Sequence, residues 1–571
     1  MKGAHETSET QASRWNYRLV FSFTTLLIVA AVYLILRFGT NVPIIDEWDL
    51  VPDLLGVLET GDALRWLDWS VARHNEHRYP MARFLFLVVM AVSGPDLRSG
   101  MLASVVLLSL TTWGFLKATR VARGGGTSLG DAVLPALLLS WGHAFNLLMG
   151  YQIAFTLHAV SVAWLVWSIV IDQGNRRSDL RCTFAVACLP LSGGLGLASA
   201  VPACGWLLYR AWANWSNSRG TLVWHTLTSG VTILAAAVYA VWATIGVEST
   251  TEPMHRIEGF FTKLTAAGQV LAIGNGIWII DSDWFTVILV TTGWYCAVCG
   301  LLAWTFVQNP AERVVALGLF AVIAGIVLLA LAIGWGRSGG LAERYATPAA
   351  LGLATSWVAV VRYNPFSTRR VLPVCGLVVA IALVAINIVP AMNLGGNSKM
   401  HGRHFRLAVK EGLPPFFLAN RFYYSHERMR DRIKTLGEKN YPGMRGMAVD
   451  QPFVAVPVPA PAPTHLPACD ATAYYTARPS LPIAPPPDAR SAIGFQIEYE
   501  LDHDPVWLEL HLKWTGSNGE THTSPVYIRP SRGRRTVAFW VNGVPRDAKL
   551  EPACVTLGFV IHRAEWLMPK S

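Results

Sequence analysis

The chain has 571 residues, 52% of them hydrophobic and only 15% charged, with 23 tryptophans and a mean hydropathy of +0.36. That balance excludes an ordinary soluble globular protein and predicts an integral membrane protein. A net charge of +10 would point to nucleic acid in a soluble chain, but here Lys and Arg gather in short loops between apolar runs, the positive-inside pattern, so nucleic acid is excluded as a partner.

The first apolar run, LVFSFTTLLIVAAVYLILRF at 19–38, is too long for a removable signal peptide and lacks a small-residue cleavage site, so it reads as an anchor. Runs able to cross about 30 Å of hydrocarbon follow at 98–118, 129–148, 151–171, 182–198, 200–213, 222–247, 283–307, 312–335, 341–361 and 371–391. Two others, 81–95 and 263–280, are shorter or interrupted. The basic loops at Lys117–Arg123, Arg176–Arg181, Arg210–Arg219, Glu312–Arg313 and Arg362–Arg370 all fall inside only if those two lie along the outer surface as interfacial or re-entrant pieces. The expected fold is therefore an all-α polytopic membrane domain, 1–395, of about eleven crossings. Its outer face collects 39–97, 146–153, 248–282 and 334–348, where acids, histidines and arginines concentrate.

Beyond 391 the hydropathy collapses. Residues 396–450 mix aromatic and basic groups and read as an interfacial helical linker. VAVPVPAPAPTHLP (454–467) is a semi-rigid Pro/Ala spacer. FQIEYELD, VWLELHLKW, SPVYIRP and RTVAFWVNG then alternate with period two, so 451–571 reads as a small β-sandwich. An odd number of crossings puts it outside the cytosol, where Cys469 and Cys554 are able to pair. The other six cysteines lie within apolar runs and read as small buried hydrophobes.

Three clusters stand out on the outer face. NVPIIDEWDL (41–50) carries Asp46, Glu47 and Asp49 immediately after the first span. A solvated flank explains them, and so does a general base, because paired carboxylates push their pKa values apart. WLDWSVARHNEHRYPMARF (66–84) places His74, Asn75, Glu76, His77 and Arg78 in one run before Arg83. The two histidines, three apart, would share a helix face and grip an anion or metal; an interfacial helix anchored by Trp66 and Trp69 is the alternative. A zinc site lacks its third and fourth ligands. GRSGGLAERYATP (336–348) holds Arg337, Glu343, Arg344 and Tyr345, either as a structural Arg–Glu pair or as a phosphate clamp approached through Gly336, Gly339 and Gly340. Weaker signals are His143, Asn146, Tyr151 and Gln152 around a tight turn, and His255 with Arg256.

Taken together, DEW, HNEHRYP and SGGLAERYATP on this topology resemble the GT-C class of polytopic glycosyltransferases over roughly 15–391. The resemblance implies an inverting transfer, at the outer face of a bacterial cytoplasmic membrane, from a polyprenyl-phosphate sugar donor to a glycan or lipid-linked acceptor. It implies Asp46 as general base, with Glu47 assisting it or a divalent cation. His74, Asn75, Glu76, His77, Arg78 and Gln152 would orient substrate, while Arg337 and Arg344, with Glu343 and Tyr345 beside them, would meet the leaving phosphate. DSDW (281–284) is the closest approach to a further acidic motif of the DxD type, so Mg2+ or Mn2+ stays open. The β domain resembles appended carbohydrate-binding modules, with Trp507, Trp514 and Trp540 as candidate sugar-stacking rings. A lipid-linked glycan flippase and a non-enzymatic envelope-glycan assembly component are the rival readings; transporters carry internal repeats and midplane charges, and neither is evident.

Overall fold

The computed structural model describes residues 2–74, 77–172, 176–213, 230–242 apart from 232, 236 and 240, 259–336, 341–364, 371–422, 426–439, 441–442, 444, 453–458, 481–483, 486, 492–501, 508–516, 519–528, 535–543, 545–552 and 559–569. The chain forms two compact units, Met1–Met400 and His401–Ser571.

The first unit opens with α1 (Lys2–Phe38), then three shorter helices, α2 (Glu47–Thr60), α3 (Ala63–Val71) and α4 (Pro80–Ser93), and the long α5 (Leu97–Ala122). Among the described residues six helices are long and apolar enough to cross a membrane: Ser13–Phe38, Leu97–Ala122, Gly150–Val170, Trp284–Gln308, Pro310–Gly336 and Val371–Lys410. The expected count of about eleven is not reached among them, and the shortfall has local causes. The run 129–148 is broken into four short helical pieces, because Ser140 takes an extended conformation (ψ 166°) and caps the next turn with its hydroxyl. The turn expected near 199 sits at Pro190–Gly193, where Gly193 has φ 88°, so the two helices run Arg176–Cys188 and Gly194–Ala213. The run 341–361 becomes Ala346–Tyr363, buried at every position from Ala346 to Ala359. Thr355 and Ser356 lower its hydropathy, yet both hydroxyls donate to carbonyls one turn back, Leu351 at 2.7 Å and Gly352 at 2.8 Å. The run 222–247 lies largely outside the described residues. As expected, 81–95 and 263–280 form helices too short to cross, Pro80–Ser93 and Phe260–Ala272.

Ion pairs close one end of the bundle. Arg123 grips Asp131 with both terminal nitrogens at 2.5 and 2.6 Å. Arg210 holds Asp172 at 2.5 and 2.8 Å and also donates to Asp179. Arg362 donates to Glu312 at 2.8 and 3.0 Å, with the Tyr363 hydroxyl at 2.9 Å on the same carboxylate. These are the loops that the charge pattern places inside, and their arginines enter the bundle only because carboxylates meet them there.

At the opposite end the backbones meet directly. A Cβ on Gly100, in the first turn of α5, would stand 2.6 Å from the Gly150 carbonyl, and one on Gly150 would stand 2.6 Å from the Leu97 carbonyl. Only glycine at both positions lets the turn at 149–152 seat against α5.

The second unit has a helical part, Pro415–Phe422 and His426–Glu438, and two antiparallel sheets. Its strands are β3 (Phe453–Val458), β4 (Leu481–Pro482), β5 (Ala492–Leu501), β6 (Leu508–Thr515), β7 (Thr521–Ile528), β8 (Arg535–Gly543), β9 (Arg546–Pro552) and β10 (Phe559–Pro569), numbered after the two hairpin strands of the first unit. One sheet has the order β3-β10-β5-β8 and the other β4-β9-β6-β7. Alternate residues of both, among them Phe495, Ile497, Leu510, Leu512, Phe539 and Trp566, share one core. Trp514 belongs to that core, stacked on His522 at 5.3 Å, so it is not the exposed sugar-stacking ring its sequence position offered. Trp540 is half-buried. Trp507, Cys469 and Cys554 lie outside the described residues.

Candidate functional site

The acidic motif is built around a strained corner. After α1 ends at Phe38 the chain turns, and Ile45 adopts φ 47°, a left-handed conformation that a β-branched residue avoids. What holds it is Glu47. One of its carboxylate oxygens accepts the Ile44 N–H at 3.0 Å and the other accepts the Tyr151 N–H at 3.1 Å, with the Gly150 amide bonding to the same group. Its own N–H returns to the Ile44 carbonyl at 3.0 Å. Glu47 is wholly buried, and burial outweighs the three amides, so its carboxyl is pushed up to about 7. Trp48, Leu50, Val51, Leu54 and Leu55 bury the apolar face of α2 behind it. Glu47 thus clamps the corner to the 150–151 turn, with its oxygens occupied by backbone amides. Asp46 precedes α2, half-buried, and makes no capping bond to the helix.

Groups from several elements act on Tyr151. Asp46, Tyr79 and Arg83 all act electrostatically on Tyr151, whose ring meets Phe86 edge-on at 5.6 Å. Arg83, in the first turn of α4, is buried and stacks over Trp69 of α3 at 4.1 Å. Between α3 and α4 the HNEHR run is a hairpin and not the expected helix. Ala72 turns extended (ψ 154°), and β1 (Arg73–His74) pairs antiparallel with β2 (His77–Arg78), so that Arg73 faces Arg78 and His74 faces His77. The two histidines are neighbours across a two-residue connection instead of along a helix face. Asn75 and Glu76, which form that connection, lie outside the described residues. Arg78 donates to the Val71 carbonyl at 2.6 Å, stacks over Trp242 at 4.3 Å, and its carbonyl accepts from the Tyr239 hydroxyl at 2.7 Å.

The turn clamped by Glu47 carries a second set of contacts. Asn146 donates to the Arg344 carbonyl at 3.0 Å and to the Thr347 hydroxyl at 2.7 Å; that hydroxyl also meets His143 Nδ1 at 3.0 Å, and His143 Nε2 lies 2.5 Å from the Leu137 carbonyl. Glu343–Tyr345 is a single helical turn leading into Ala346–Tyr363, with Tyr345 buried, Glu343 and Arg344 half-buried, and the Arg344 guanidinium 5.4 Å from the Tyr345 ring centre. Gln152, buried, offers its amide nitrogen to Met149 Sδ at 3.1 Å, while its Oε1 has no hydrogen-bond partner among the described residues. The segment 140–152 therefore joins the acidic corner, held at 150 and 151, to the 344–347 segment, held at 143 and 146. Arg337, His255 and Arg256 lie outside the described residues.

Sequence reasoning passed over Arg83 as a site residue, counted Tyr151 only among the weaker signals and undervalued the clamp. A lone arginine in the apolar stretch PMARFLFLVVM was the available signal. Among the described residues no three His, Cys, Asp or Glu side chains group closely enough to hold a metal ion.

No family model matches the chain, and no curated protein matches it. The functional reading therefore rests on the sequence pattern and on this geometry.

Proposed function

We propose that the chain is a membrane glycosyltransferase of the inverting type, which moves a sugar from a polyprenyl-phosphate donor to a glycan or lipid-linked acceptor at the outer face of a bacterial cytoplasmic membrane. Asp46 is the general base. As the acceptor oxygen attacks the anomeric carbon, its proton passes to Asp46, the bond from that carbon to the phosphate oxygen breaks, and the phosphate leaves with the electron pair. Arg344, with Arg337, neutralises the departing charge. Arg78 and the His74/His77 hairpin orient the sugars, and the polyprenyl tail stays in lipid. The single observation supporting this reading is the clamp at Glu47: it fixes a half-buried carboxylate, Asp46, on one side of a turn whose other side is bonded to the Arg344 segment.

The test is transfer from a panel of radiolabelled polyprenyl-phosphate sugars by the purified full-length protein. Asp46→Asn should lower turnover by roughly 10²–10⁴-fold while donor binding persists. Full activity of that variant, or no transfer by wild type from any donor, would overturn the proposal in favour of transport or scaffolding.

A further inference from the structure

Two arginines among the described residues are almost wholly buried, and they differ in one respect. Arg210, 2% exposed, is met by two carboxylates. Arg83, 3% exposed, makes no ion pair among the described residues; the carboxylate whose charge acts on it, that of the exposed Asp53, stands beyond ion-pair distance. Among the described residues its guanidinium meets the Trp69 ring and makes one long hydrogen bond, 3.4 Å, from Nη1 to the Arg73 carbonyl, and its Nε has no hydrogen-bond partner. A guanidinium does not give up its proton, so it cannot escape burial by neutralising, as a lysine would. Removing it from water without an anion is costly, and arginines in such places mark function more often than packing.

We propose that Arg83 is the receptor for an oxyanion, a carboxylate or phosphate, borne by the acceptor whose hydroxyl meets Asp46. The inference rests on the transferase reading in one point, the assignment of the donor phosphate to the Arg344 side of the 140–152 turn. Arg83 acts on the other side: Phe86, three residues on in α4, meets the Tyr151 ring at 5.6 Å, and the Tyr151 amide is held by Glu47, next to Asp46. An anion arriving there belongs to the molecule that Asp46 deprotonates. Trp69 covers the guanidinium face, and the planar fork of a guanidinium matches a carboxylate or a phosphate. Gln152, beside Tyr151 in sequence, has a buried Oε1 suited to accept a hydroxyl of the same saccharide. The acceptor is thus an acidic glycan or a phosphorylated one.

The experiment uses the full chain in zwitterionic phosphatidylcholine nanodiscs. Its thermal midpoint is followed while glucuronate, inorganic phosphate or, as a neutral control, glucose is added. Wild type, Arg83→Met, Arg83→Lys and Asp46→Asn are compared. One of the two anions should raise the wild-type midpoint by about 2 °C or more, and glucose should not. The anion that does so identifies the group. Arg83→Met should lose the response and, freed of an unmet buried charge, should melt at or above the wild-type midpoint without ligand. Arg83→Lys should respond more weakly. Asp46→Asn should keep the response, so failure to transfer sugar from any donor would defeat the transferase reading while the oxyanion site stands. A lowered ligand-free midpoint in Arg83→Met would make Arg83 a structural residue and overturn the proposal, as would an anion response retained without the guanidinium or no response in wild type.

Discussion

Replacing Glu47 with alanine tests whether the clamp organises the acidic corner. The substitution leaves three buried backbone N–H groups, those of Ile44, Gly150 and Tyr151, without their acceptor. Each unsatisfied buried donor costs about 1–3 kcal/mol, so the loss is roughly 3–9 kcal/mol before any offset. The offset is the carboxylate's own burial. Its pKa stands at about 7 against an ordinary 4.5, and at about 1.36 kcal/mol per pH unit the ionised form at pH 8 costs about 3 kcal/mol. The sign follows from proton linkage. Between pH 4.5 and 7 the folded protein holds a proton that the unfolded chain has released, so this contribution to stability is complete below pH 4.5 and is lost as pH rises through 7. Glu47→Ala should therefore be more damaging at pH 5.5 than at pH 8, by about 2 kcal/mol. Hydrogen exchange in nanodiscs reads this out locally: peptides covering 39–50 and 146–152 should lose protection together, and thermal midpoints at the two pH values should show the asymmetry. Unchanged exchange in both peptides, or an equal loss at both pH values, would refute the reasoning.

Gly150→Ala should act through the same joint from the other side. The new methyl would stand 2.6 Å from the Leu97 carbonyl and 3.3 Å from the Glu47 carboxylate, so the turn must retreat from α5 at a cost of about 1–3 kcal/mol; a fall in both midpoint and sugar transfer checks it, and an unchanged midpoint would show that the turn has slack. At the far end, Arg210→Met strands Asp172 and Asp179 in the bundle and should cost about 3–5 kcal/mol, seen as a large drop in midpoint. Restoring neutrality with Asp172→Asn and Asp179→Asn in the same chain should recover most of it.

What was legible in the sequence is what depends on composition over many residues. Six long apolar helices, two shorter pieces at 80–93 and 260–272, and the alternating strands after 490 all follow from periodicity and length. What was not legible depends on single backbone conformations or on distant partners. Hydropathy averages over 129–148 and does not register that Ser140 bonds forward and breaks the helix. The spacing of His74 and His77 fits a helix face and a hairpin equally well, and only the extended Ala72 decides between them. In the acidic motif the residues alone present Asp46 and Glu47 as a pair, and only the family resemblance ranks Asp46 as the base. Their difference arises from Tyr151, which is 104 positions away and takes one of them as an acceptor for its amide. Pairing at such a distance carries no local signature.

On the proposed transferase reading, that difference divides two tasks between the adjacent acids, the positioning of the backbone and the acceptance of a proton. The division is visible here: Glu47 gives its oxygens to three amides and sustains the strained φ at Ile45, while Asp46 stays half-buried at the start of α2. The arginines repeat the logic on the scale of the bundle. Arg123, Arg210 and Arg362 at one end have their carboxylates supplied by the chain, which makes that end a fixed base. Arg83, at the end bearing the acidic corner, makes no ion pair among the described residues, with only the exposed carboxylate of Asp53 acting on it from a distance. The strained backbone at Ile45 and the buried guanidinium of Arg83 thus stand at the same end of the bundle, the end to which the proposed reading assigns the substrate.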